Sequence, residues 1–557
     1  MGRGLGLGSV VVLAGVMASA CTVGVGPDGS SEANRGALPE TEAQINEALG
    51  ATGVTPATTS ISTAARYCVA NGAGVGPASK WVYTAPTGKL TYPTLATGDH
   101  VLDFSNSGYG GGGLTIPTAK VVKTLSPSGK DDTAAIQAAL NAVAALPLVN
   151  GLRGAVLLAP GTFTLAGSLS MMASGVVLRG SGSGAKGTVV NVTGSPRVAV
   201  WIHGTSAGTP TGKVTTITDS YVPSGSRTFH VAATTGLTVG TPINITRTVT
   251  AAWVHLVGMD ALTRNGAAQT WLAPGTTIAT DRVITAVSGT TVTVDAPLSD
   301  ALDVKYSPGT TVRPYSATGR LEQTGIESLH LIAPKQTVSI DKPTYDFLQM
   351  TAVENSWVRD VVADEFMNTY ALDASTKWIT IQDSTINRTA PIDITAGLPF
   401  GFGVDGQLTL VQRSTVNATN VFAYGTKSHA PGPNVALALT ATGTLMYVEP
   451  HERWSTGLLA DNVSVPSGEL DYSNRGNYGT GQGWSMGFGV VWNSSASSFT
   501  VAAAPSSTNW LIGSRGTVAT GSNGTVDSKN AAVVPSSLYL AQLCERLGSA
   551  ALTNIGY

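Results

Sequence analysis

The sequence is short of charge, and that shortage excludes one class of partner. Only 12% of its 557 residues are charged, against about a quarter in ordinary globular proteins. Lys and Arg together number 32 and Asp and Glu 34, which gives a formal net charge of −2. Because nucleic-acid-binding proteins carry a basic surplus that neutralises phosphates, this balance argues against DNA or RNA as a partner.

Cysteine is equally scarce, with 3 in the chain, at Cys21, Cys68 and Cys544. The last two lie far apart, and the sequence has no cluster of Cys and His with the spacing of a zinc site. In an exported chain, Cys68 and Cys544 are candidates for a disulfide that joins the two ends of the fold, although the sequence leaves their distance open.

The N-terminal apolar run is too short to cross a bilayer, which takes about 20 residues. Residues 1–4 carry one Arg, residues 5–17 are apolar or small, and Ala18-Ser19-Ala20 precedes Cys21. This order is typical of an export signal and resembles a bacterial lipobox, in which the Cys becomes the lipidated N-terminus. We therefore predict lipidation at Cys21, with plain secretion as the alternative.

Glycine is abundant, at 66 residues, and it separates short apolar segments. Residues 155–158, 162–165 and 176–178 read as strands divided by Gly, Pro and Ser turns. An Ala-rich stretch over 134–145, preceded by Asp131 and Asp132, predicts a helix. Further on, Val358-Arg359-Asp360-Val361 is echoed by similar tetrapeptides, beginning at Ile381, Val411 and Leu459. Recurrence of this kind indicates the stacked rungs of a solenoid.

The order of these early segments resembles that of a known superfamily. Residues 103–109, 128–139, 154–161 and 175–180 resemble the opening of pectate-lyase-superfamily β-helices related to glycoside hydrolase family 28. The resemblance implies an all-β, right-handed parallel β-helix whose open N-terminal end is capped by the predicted helix. It implies a fold more firmly than a reaction.

Two further segments are predicted from their own patterns. Residues 212–315 read as hairpin strands of an inserted antiparallel β subdomain, a candidate lid or carbohydrate-contact surface, or simply a packed aromatic layer. Apolar residues at helical spacing near the C-terminus predict a terminal helix. The predicted organisation is a signal peptide over 1–21, a flexible tether over 22–64, an N-terminal segment over 65–115, the β-helix over 116–530 with its insertion, and a C-terminal helix and tail over 531–557.

The densest group of chemically active residues runs from Tyr447 to Gly457. In an extended chain, Glu449, His451 and Arg453 would share one face, and Glu452 and Trp454 the other. We predict His451 as the base and Arg453 as the holder of a substrate carboxylate, with a buried ion pair between rungs as the alternative. The predicted substrate-binding residues are Glu452, Trp454, Arg475, Asn477, Trp484 and His429.

This region also resembles a segment of bacterial β-helix proteins regarded as uncharacterised or polysaccharide-degrading. Their pattern H-x-R-W-x-T-G-x-L-x-D-N, then N-R-G-N and G-H-G-W, matches residues 451–462, 474–477 and 481–484. Gln482 stands where the pattern has His. The departure weakens any mechanism that uses that His as acid or base.

A second candidate centre consists of carboxylates. Asp364 and Glu365 are predicted as a catalytic pair with neighbours on other rungs, as in glycosidases. The same oxygens suit calcium, and Asp at solenoid corners also commonly caps turns. The strict family-28 motif, paired aspartates followed by Gly-His-Gly and Arg-x-Lys, is missing from the sequence.

Together these observations predict an exported protein, either a cell-surface lipoprotein or secreted, whose partner is an extracellular polysaccharide. The favoured activity is a lyase or glycoside hydrolase acting on an acidic, uronate-containing glycan in the lateral groove. The alternative is a non-catalytic carbohydrate-binding or structural surface protein. Calcium is a candidate cofactor, a homotrimer is a candidate assembly, and the membrane is contacted only through the lipid anchor.

Overall fold

Three stacked ladders of parallel strands build the body of the protein. The computed structural model describes residues 67–68 and 77–557, so the predicted signal peptide, Cys21 and tether lie outside the described residues. Each rung passes from the first ladder to the second and then to the third, and each strand pairs in parallel with its equivalents on neighbouring rungs. The protein is a right-handed parallel β-helix, which confirms the predicted fold class.

The strands of the first ladder are Val121–Leu125, Gly154–Leu158, Val176–Arg179, Lys377–Gln382, Leu410–Gln412, Pro431–Leu437, Ser455–Asp461, Met486–Gly487, Val490–Trp492, Trp510–Ile512 and Thr525–Asp527. Gly325–Ile332 and Glu354–Asp364 run on from the first ladder into the second. The second ladder also contains Gly161–Leu165, Thr188–Val192, Thr385–Asn387, Thr415–Asn417 and Thr440–Thr442.

The third ladder carries the site described below. Its strands are Leu169–Met171, Val198–His203, Asp346–Thr351, Tyr370–Leu372, Phe400–Val404, Val421–Thr426 and Met446–Pro450. Ser464–Tyr472, Ser495–Val501 and Arg515–Val518 run from the second ladder into the third. Two short strands, Tyr83–Thr84 and Leu90–Thr91, pair before the solenoid begins.

The repeated tetrapeptide marks the corner between the first two ladders. Asp360, Asp383 and Arg413 occupy this corner with φ of 53°, 52° and 46°. The left-handed conformation is costly for most L-residues and is adopted more readily by Asp and Asn. In the fourth repeat the corner residue is Asn462, φ 54°, one position later than the predicted alignment. Turn formation therefore accounts for Asp360 and Asp383.

Apolar side chains from alternate strand positions fill the coil. One continuous cluster of buried residues runs from the N-terminal helix Thr133–Ala144, through Ile136 and Leu140, to Leu511. The helix lays its buried face, which also includes Ala139 and Val143, against the first rungs. It thereby covers apolar side chains that no preceding rung would shield.

The insertion between strands Val198–His203 and Gly325–Ile332 is antiparallel. Its strands are Thr209–Pro210, Thr215–Thr216, Tyr221–Val222, Thr228–His230, Pro242–Thr248, Thr263–Arg264, Ala267–Ala268, Thr277–Ser288, Thr291–Val294, Leu302–Asp303 and Thr311–Ser316. A short helix, Ala251–Leu256, follows Thr250, whose hydroxyl accepts the Trp253 N–H. The insertion has its own apolar core around Ile243, Val292 and Val312.

Two helices end the chain, Leu538–Leu547 and Ser549–Asn554. Ser537 caps the first helix by accepting the Leu540 N–H, and the carboxylate of Asp461 accepts from both Ser537 and Tyr539. A disulfide joins Cys544 in this helix to Cys68. In the part of the chain that the structure describes, every helix is too short or too polar to cross a membrane.

Candidate functional site

An open cleft of about 530 Å³ lies on the outer face of the third ladder. Its floor is a column of outward-facing residues on successive rungs, in which Gln349 pairs with Ala371 and Ala371 with Gly403. The complete lining is Val198, Ile340, Asp346, Leu348, Gln349, Asn368, Tyr370, Ala371, Leu372, Asp373, Ala396, Gly397, Leu398, Phe400, Gly403, Asp405, Lys427, His451 and Glu452. A cleft of this size on a rigid sheet suits an extended ligand.

One edge of the cleft carries a row of ionisable side chains, one per rung. Asp373, Asp405, Lys427 and His451 each follow directly after a strand of the third ladder. The pairing of their strands sets their order along the edge. Neighbouring strands lie about 4.8 Å apart, so each side chain starts about that distance from the next. Asp373 and Asp405 are thus on adjacent rungs, and Lys427 follows on the next.

Asp405 is the carboxyl group whose ionisation the cleft perturbs most clearly. Burial raises its pKa to about 6, and the nearby charges of Asp373 and Glu452 act in the same direction. The backbone N–H of Lys427, 2.5 Å from Oδ1, and the ammonium of Lys427 oppose this rise but do not cancel it. A carboxyl group with this pKa is partly protonated near neutral pH, as a general acid must be.

The opposite edge of the cleft carries Asp346 and Asn368. Burial also raises the pKa of Asp346, despite hydrogen bonds from the backbone and side-chain amides of Asn368 at 2.9 and 3.2 Å. Asn368 in turn accepts the Phe400 N–H, which fixes the amide at the cleft wall. On the edge with the row of ionisable side chains, Asp373 accepts the N–H and hydroxyl of Ser375, a turn contact that holds its carboxylate in place.

His451 lies at the end of this row, with its ring already engaged. The side-chain amide nitrogen of Gln482 is 3.0 Å from Nε2. The guanidinium of Arg475 donates to the oxygen of the same amide, so the amide nitrogen faces His451 and donates to Nε2. The proton then resides on Nδ1, which is buried and has no hydrogen-bond partner among the described residues. Burial lowers the pKa of His451.

This arrangement does not support His451 as a general base. A base needs a free lone pair directed at the substrate, whereas Nε2 accepts from Gln482 and the ring packs edge-on against Phe400 and Phe422, with centroid distances of 5.8 and 4.9 Å. His451 therefore serves as a positioned wall of the cleft.

The prediction that Glu449, His451 and Arg453 share one face by strand alternation is wrong. The strand ends at Pro450, and Arg453 and Trp454 both have left-handed backbone conformations, φ 51° and 62°. The chain turns here, so period-two alternation does not apply. Arg453 is not part of the cleft lining and donates to Glu452 and Thr480, while Glu452 itself lines the cleft.

The two tryptophans predicted to stack on sugars are buried. Trp454 and Trp484 are 2% and 8% exposed. Trp454 packs against Trp253 and Trp271 of the insertion, with centroids 5.0 and 6.0 Å away, and its Nε1 donates to Asp300. A ring with no free face cannot stack on a ligand.

The insertion accordingly packs against the solenoid through these aromatics. Its residues contribute nothing to the cleft lining. Nearby, Lys377 and Arg320 pair with Asp281 of the insertion, with N–O distances of 2.9 Å. The geometry favours the packing interpretation of the insertion over a lid for this cleft.

The remaining residues predicted to bind substrate make structural contacts. Arg475 forms an ion pair with the buried Glu449. Asn477 donates to the carbonyl of Thr263 in the insertion. His429 occupies a left-handed turn, φ 46°, and its backbone N–H donates to Arg453. His429 also lies outside the cleft lining, and burial lowers its pKa.

The predicted pair Asp364 and Glu365 is not built as a glycosidase pair. Asp364 accepts from His330 at 2.7 Å and Asn387 at 2.8 Å; burial raises its pKa, but these bonds outweigh it and leave it lowered. Glu365 is 6% exposed and accepts from Thr389 and the Ala390 N–H. Its pKa is lowered too, because these bonds outweigh the effect of burial. Both carboxylates stay ionised and hold turns.

Sequence reasoning missed Asp373, Asp405 and Lys427. A signal was available, because Leu372-Asp373 and Val404-Asp405 both end short apolar strands with an aspartate at equivalent rung positions. Among the described residues, no group of three or more His, Cys, Asp or Glu is arranged to hold a metal ion.

Neither a family model nor a curated protein matches the chain. Solved structures with a similar fold include the gp54 tailspike of Acinetobacter baumannii bacteriophage AP22, in complex with capsular saccharide, at 12% identity and a TM-score of 0.36. That match covers 71% of this chain but 63% of the tailspike, less than two thirds of its length.

Two further structures are similar at the same level. The tailspike gp49 of Pseudomonas phage LKA1 is 14% identical, with 71% of this chain and 70% of that chain covered and a TM-score of 0.37. DFA-IIIase from Arthrobacter chlorophenolicus A6, in complex with GF2, is 11% identical, with 72% and 93% covered and a TM-score of 0.26. At these scores the likenesses carry no argument about function, and the resemblance to the family-28 group stays a prediction.

Proposed function

We propose that the protein is a glycoside hydrolase that cleaves a polysaccharide held in the cleft of the third ladder. The single observation that carries the proposal is Asp405, a carboxyl group with a pKa raised to about 6 on the edge of an open cleft. Glycoside hydrolysis needs one protonated carboxyl group to protonate the leaving oxygen and a second, ionised carboxylate beside it. In this proposal Asp405 is the acid.

Asp373 is the proposed partner carboxylate. It lies on the adjacent rung, its charge contributes to the raised pKa of Asp405, and Ser375 fixes its orientation. Retaining glycosidases hold their carboxyl groups about 5 Å apart and inverting enzymes about 6.5–9.5 Å apart. If the two carboxyl groups keep the spacing of their strands, about 4.8 Å, they match the retaining arrangement, and Asp373 would then be the nucleophile.

The charge of the cleft also bears on the substrate. Asp346, Asp373, Asp405 and Glu452 face a single cleft lysine, Lys427. A surface with this excess of carboxyl groups repels polyanions, so the lining favours a neutral glycan over the uronate-containing one expected from the sequence.

Hydrolysis also fits this site better than β-elimination. A lyase needs a free base and a cation for the substrate carboxylate. His451 has its Nε2 engaged by Gln482, and Arg453 is bonded to Glu452 and Thr480. These contacts leave neither residue available for the roles that elimination requires.

The proposal also includes export of the protein and a lipid anchor at Cys21. The leader sequence ending at Cys21 supports export and a lipid anchor, so that the cleft would meet glycans outside the cell. Calcium dependence and a homotrimeric assembly stay open to experiment. Release of Cys21→Ser protein into the culture medium would support the anchor, and soluble protein with an unmodified Cys21 would contradict it.

The test of the proposed function is an incubation with neutral and uronic-acid polysaccharides, with calcium or with a chelator. Reducing ends and unsaturated uronate products are followed separately. We expect new reducing ends from a neutral glycan without unsaturated products. Unsaturated ends would instead establish a lyase, and tight binding without any cleavage would establish the non-catalytic alternative.

A further inference from the structure

Trp201 is the most exposed tryptophan of the protein, at 38%. All ten tryptophans lie in the described range; two others, Trp81 and Trp378, are partly exposed, and the remaining seven are buried. A single exposed apolar side chain is common on protein surfaces, so the position of Trp201 decides what its ring can do. An exposed indole offers a flat apolar face on which another ring can stack.

Its position relates it directly to the cleft. Trp201 lies on strand Val198–His203, where it pairs with Gln349 of the cleft floor. Gln349, Ala371 and Gly403 continue the same outward-facing column toward Asp405. Val198, on the same strand as Trp201, already belongs to the cleft lining. The exposed indole thus extends the floor of the cleft by one rung toward the N-terminal end.

The ring is held in place. His203, two residues along the strand, contacts it edge-on, with centroids 6.1 Å apart and an interplanar angle of 83°. The hydroxyl of Ser170 is 2.9 Å from Nε2 of His203, so the imidazole that braces the indole is itself positioned. A braced aromatic platform loses little conformational entropy when it binds a ligand.

The other end of the column is closed. After Gly403 the next residue is Gly425, which is buried, and a Cβ added there would lie 2.5 Å from the ring of Phe400. On the following rung, Glu449 is 3% exposed and paired with Arg475. A chain bound at Asp405 can therefore extend along the floor in one direction, past Ala371 and Gln349 to Trp201.

We propose that Trp201 is a sugar-binding subsite, on which a ring of the bound glycan stacks at the N-terminal end of the cleft. The inference rests on the proposed function, since it takes the occupant of the cleft to be a glycan. Trp201 is three strand spacings from the rung of Asp405, or about 14 Å. The substrate is therefore an oligomer or polymer whose chain spans about 14 Å between the rung of Asp405 and Trp201.

The experiment compares Trp201→Ala and Trp201→Phe with an exposed apolar control in the insertion, Val239→Ala, since Val239 is 68% exposed. All are made in the full chain carrying Asp405→Asn, so that bound glycan survives. The probe is an array of neutral and acidic oligosaccharides of graded length, followed by calorimetric Kd for those bound.

We expect Trp201→Ala to weaken the Kd for long oligosaccharides about 30-fold, the lower end of the scale for removing a hot-spot residue. The loss should shrink as the oligosaccharide becomes too short to reach the indole. Trp201→Phe should recover most of the affinity, because it keeps an aromatic face, and Val239→Ala should bind as its parent does.

Equal Kd for Trp201→Ala and its parent at every length would overturn the subsite. A change in oligomeric state on light scattering, without a change in Kd, would overturn it too and assign the indole to an interface between copies. Trp201-dependent binding with no cleavage by the wild type would keep the subsite and refute hydrolysis. Cleavage without Trp201 dependence would refute the subsite alone, and no binding of any glycan by the parent would contradict both.

Discussion

The side-chain amide of Gln482 donates to Nε2 of His451 across 3.0 Å. This hydrogen bond occupies the lone pair that a catalytic base would need. Arg475 fixes the direction of the amide by donating to its oxygen. His451 thus forms part of the wall of the cleft, and the proposed catalytic groups are the carboxyl groups of Asp405 and Asp373 beside it.

His451→Ala is therefore expected to lower kcat by less than about tenfold, whereas loss of a true acid or base costs about 100-fold or more. The measurement is kcat with the glycan that the wild type cleaves, accompanied by a melting curve to correct for unfolded protein. A 100-fold loss in well-folded protein would return His451 to the catalytic machinery.

The stability of the protein should depend on pH through Asp405. Its folded pKa is raised above the unfolded value of 3.8, to about 6, so the folded state binds more protons between these values. The stabilising contribution is present below pH 4 and is lost as the pH rises through about 6. At pH 8, Asp405→Asn should therefore melt at a higher temperature than the wild type, with a free energy of unfolding higher by up to about 3 kcal/mol, because each pKa unit corresponds to about 1.4 kcal/mol.

The same comparison at about pH 3 should give nearly equal melting temperatures, because Asp405 is then largely protonated in both the folded and the unfolded state. Asp364→Asn is the matched control, since the pKa of Asp364 is lowered and its loss should destabilise at pH 8. Identical melting of wild type and Asp405→Asn across this range would contradict the perturbed pKa.

Trp454→Ala should destabilise the junction between solenoid and insertion by about 3–5 kcal/mol, as removal of a buried aromatic ring does. Trp454 packs against Trp253 and Trp271 and is 2% exposed. Tyr478→Ala, in the nearby loop and 67% exposed, is the control and should leave the melting temperature unchanged. A Trp454→Ala protein that melts normally but loses glycan affinity would restore the sugar-stacking role.

Reduction of the Cys68–Cys544 disulfide should lower the melting temperature. The bond ties segments 476 residues apart in sequence, and removing a native disulfide typically costs about 2–5 kcal/mol. Melting curves with and without reductant measure the effect, and Cys544→Ser should melt like the reduced wild type. No response to reductant would contradict the pairing.

The fold was largely predictable because its signals are local and repeated. Short apolar strands, Gly turns and the recurring corner at Asp360 and Asp383 predict a solenoid without any knowledge of long-range contacts. The N-terminal helix followed from its spacing and the acids before it. The fourth corner was misaligned by one residue, because Asp461 resembles the corner aspartates while Asn462 is the residue that turns.

The site was harder to predict, because it depends on the direction in which the turns after the strands place their side chains. Alternation placed Arg453 beside His451, but left-handed conformations at Arg453 and Trp454 break the alternation. Asp373 and Asp405 looked like ordinary residues after a strand, and their proximity arises from stacking of rungs 32 positions apart. The burial that raises the pKa of Asp405 exists only in the folded coil.

The most direct test of the account is kcat/KM for glycan hydrolysis by Asp405→Asn, with Asp364→Asn as the control carboxylate outside the cleft. We expect a loss of about 100-fold or more for Asp405→Asn at pH 6, with the fold intact, and little change for the control. Wild-type hydrolysis should fall as the pH rises above about 6, because the acid loses its proton. Full activity in Asp405→Asn would contradict the central claim.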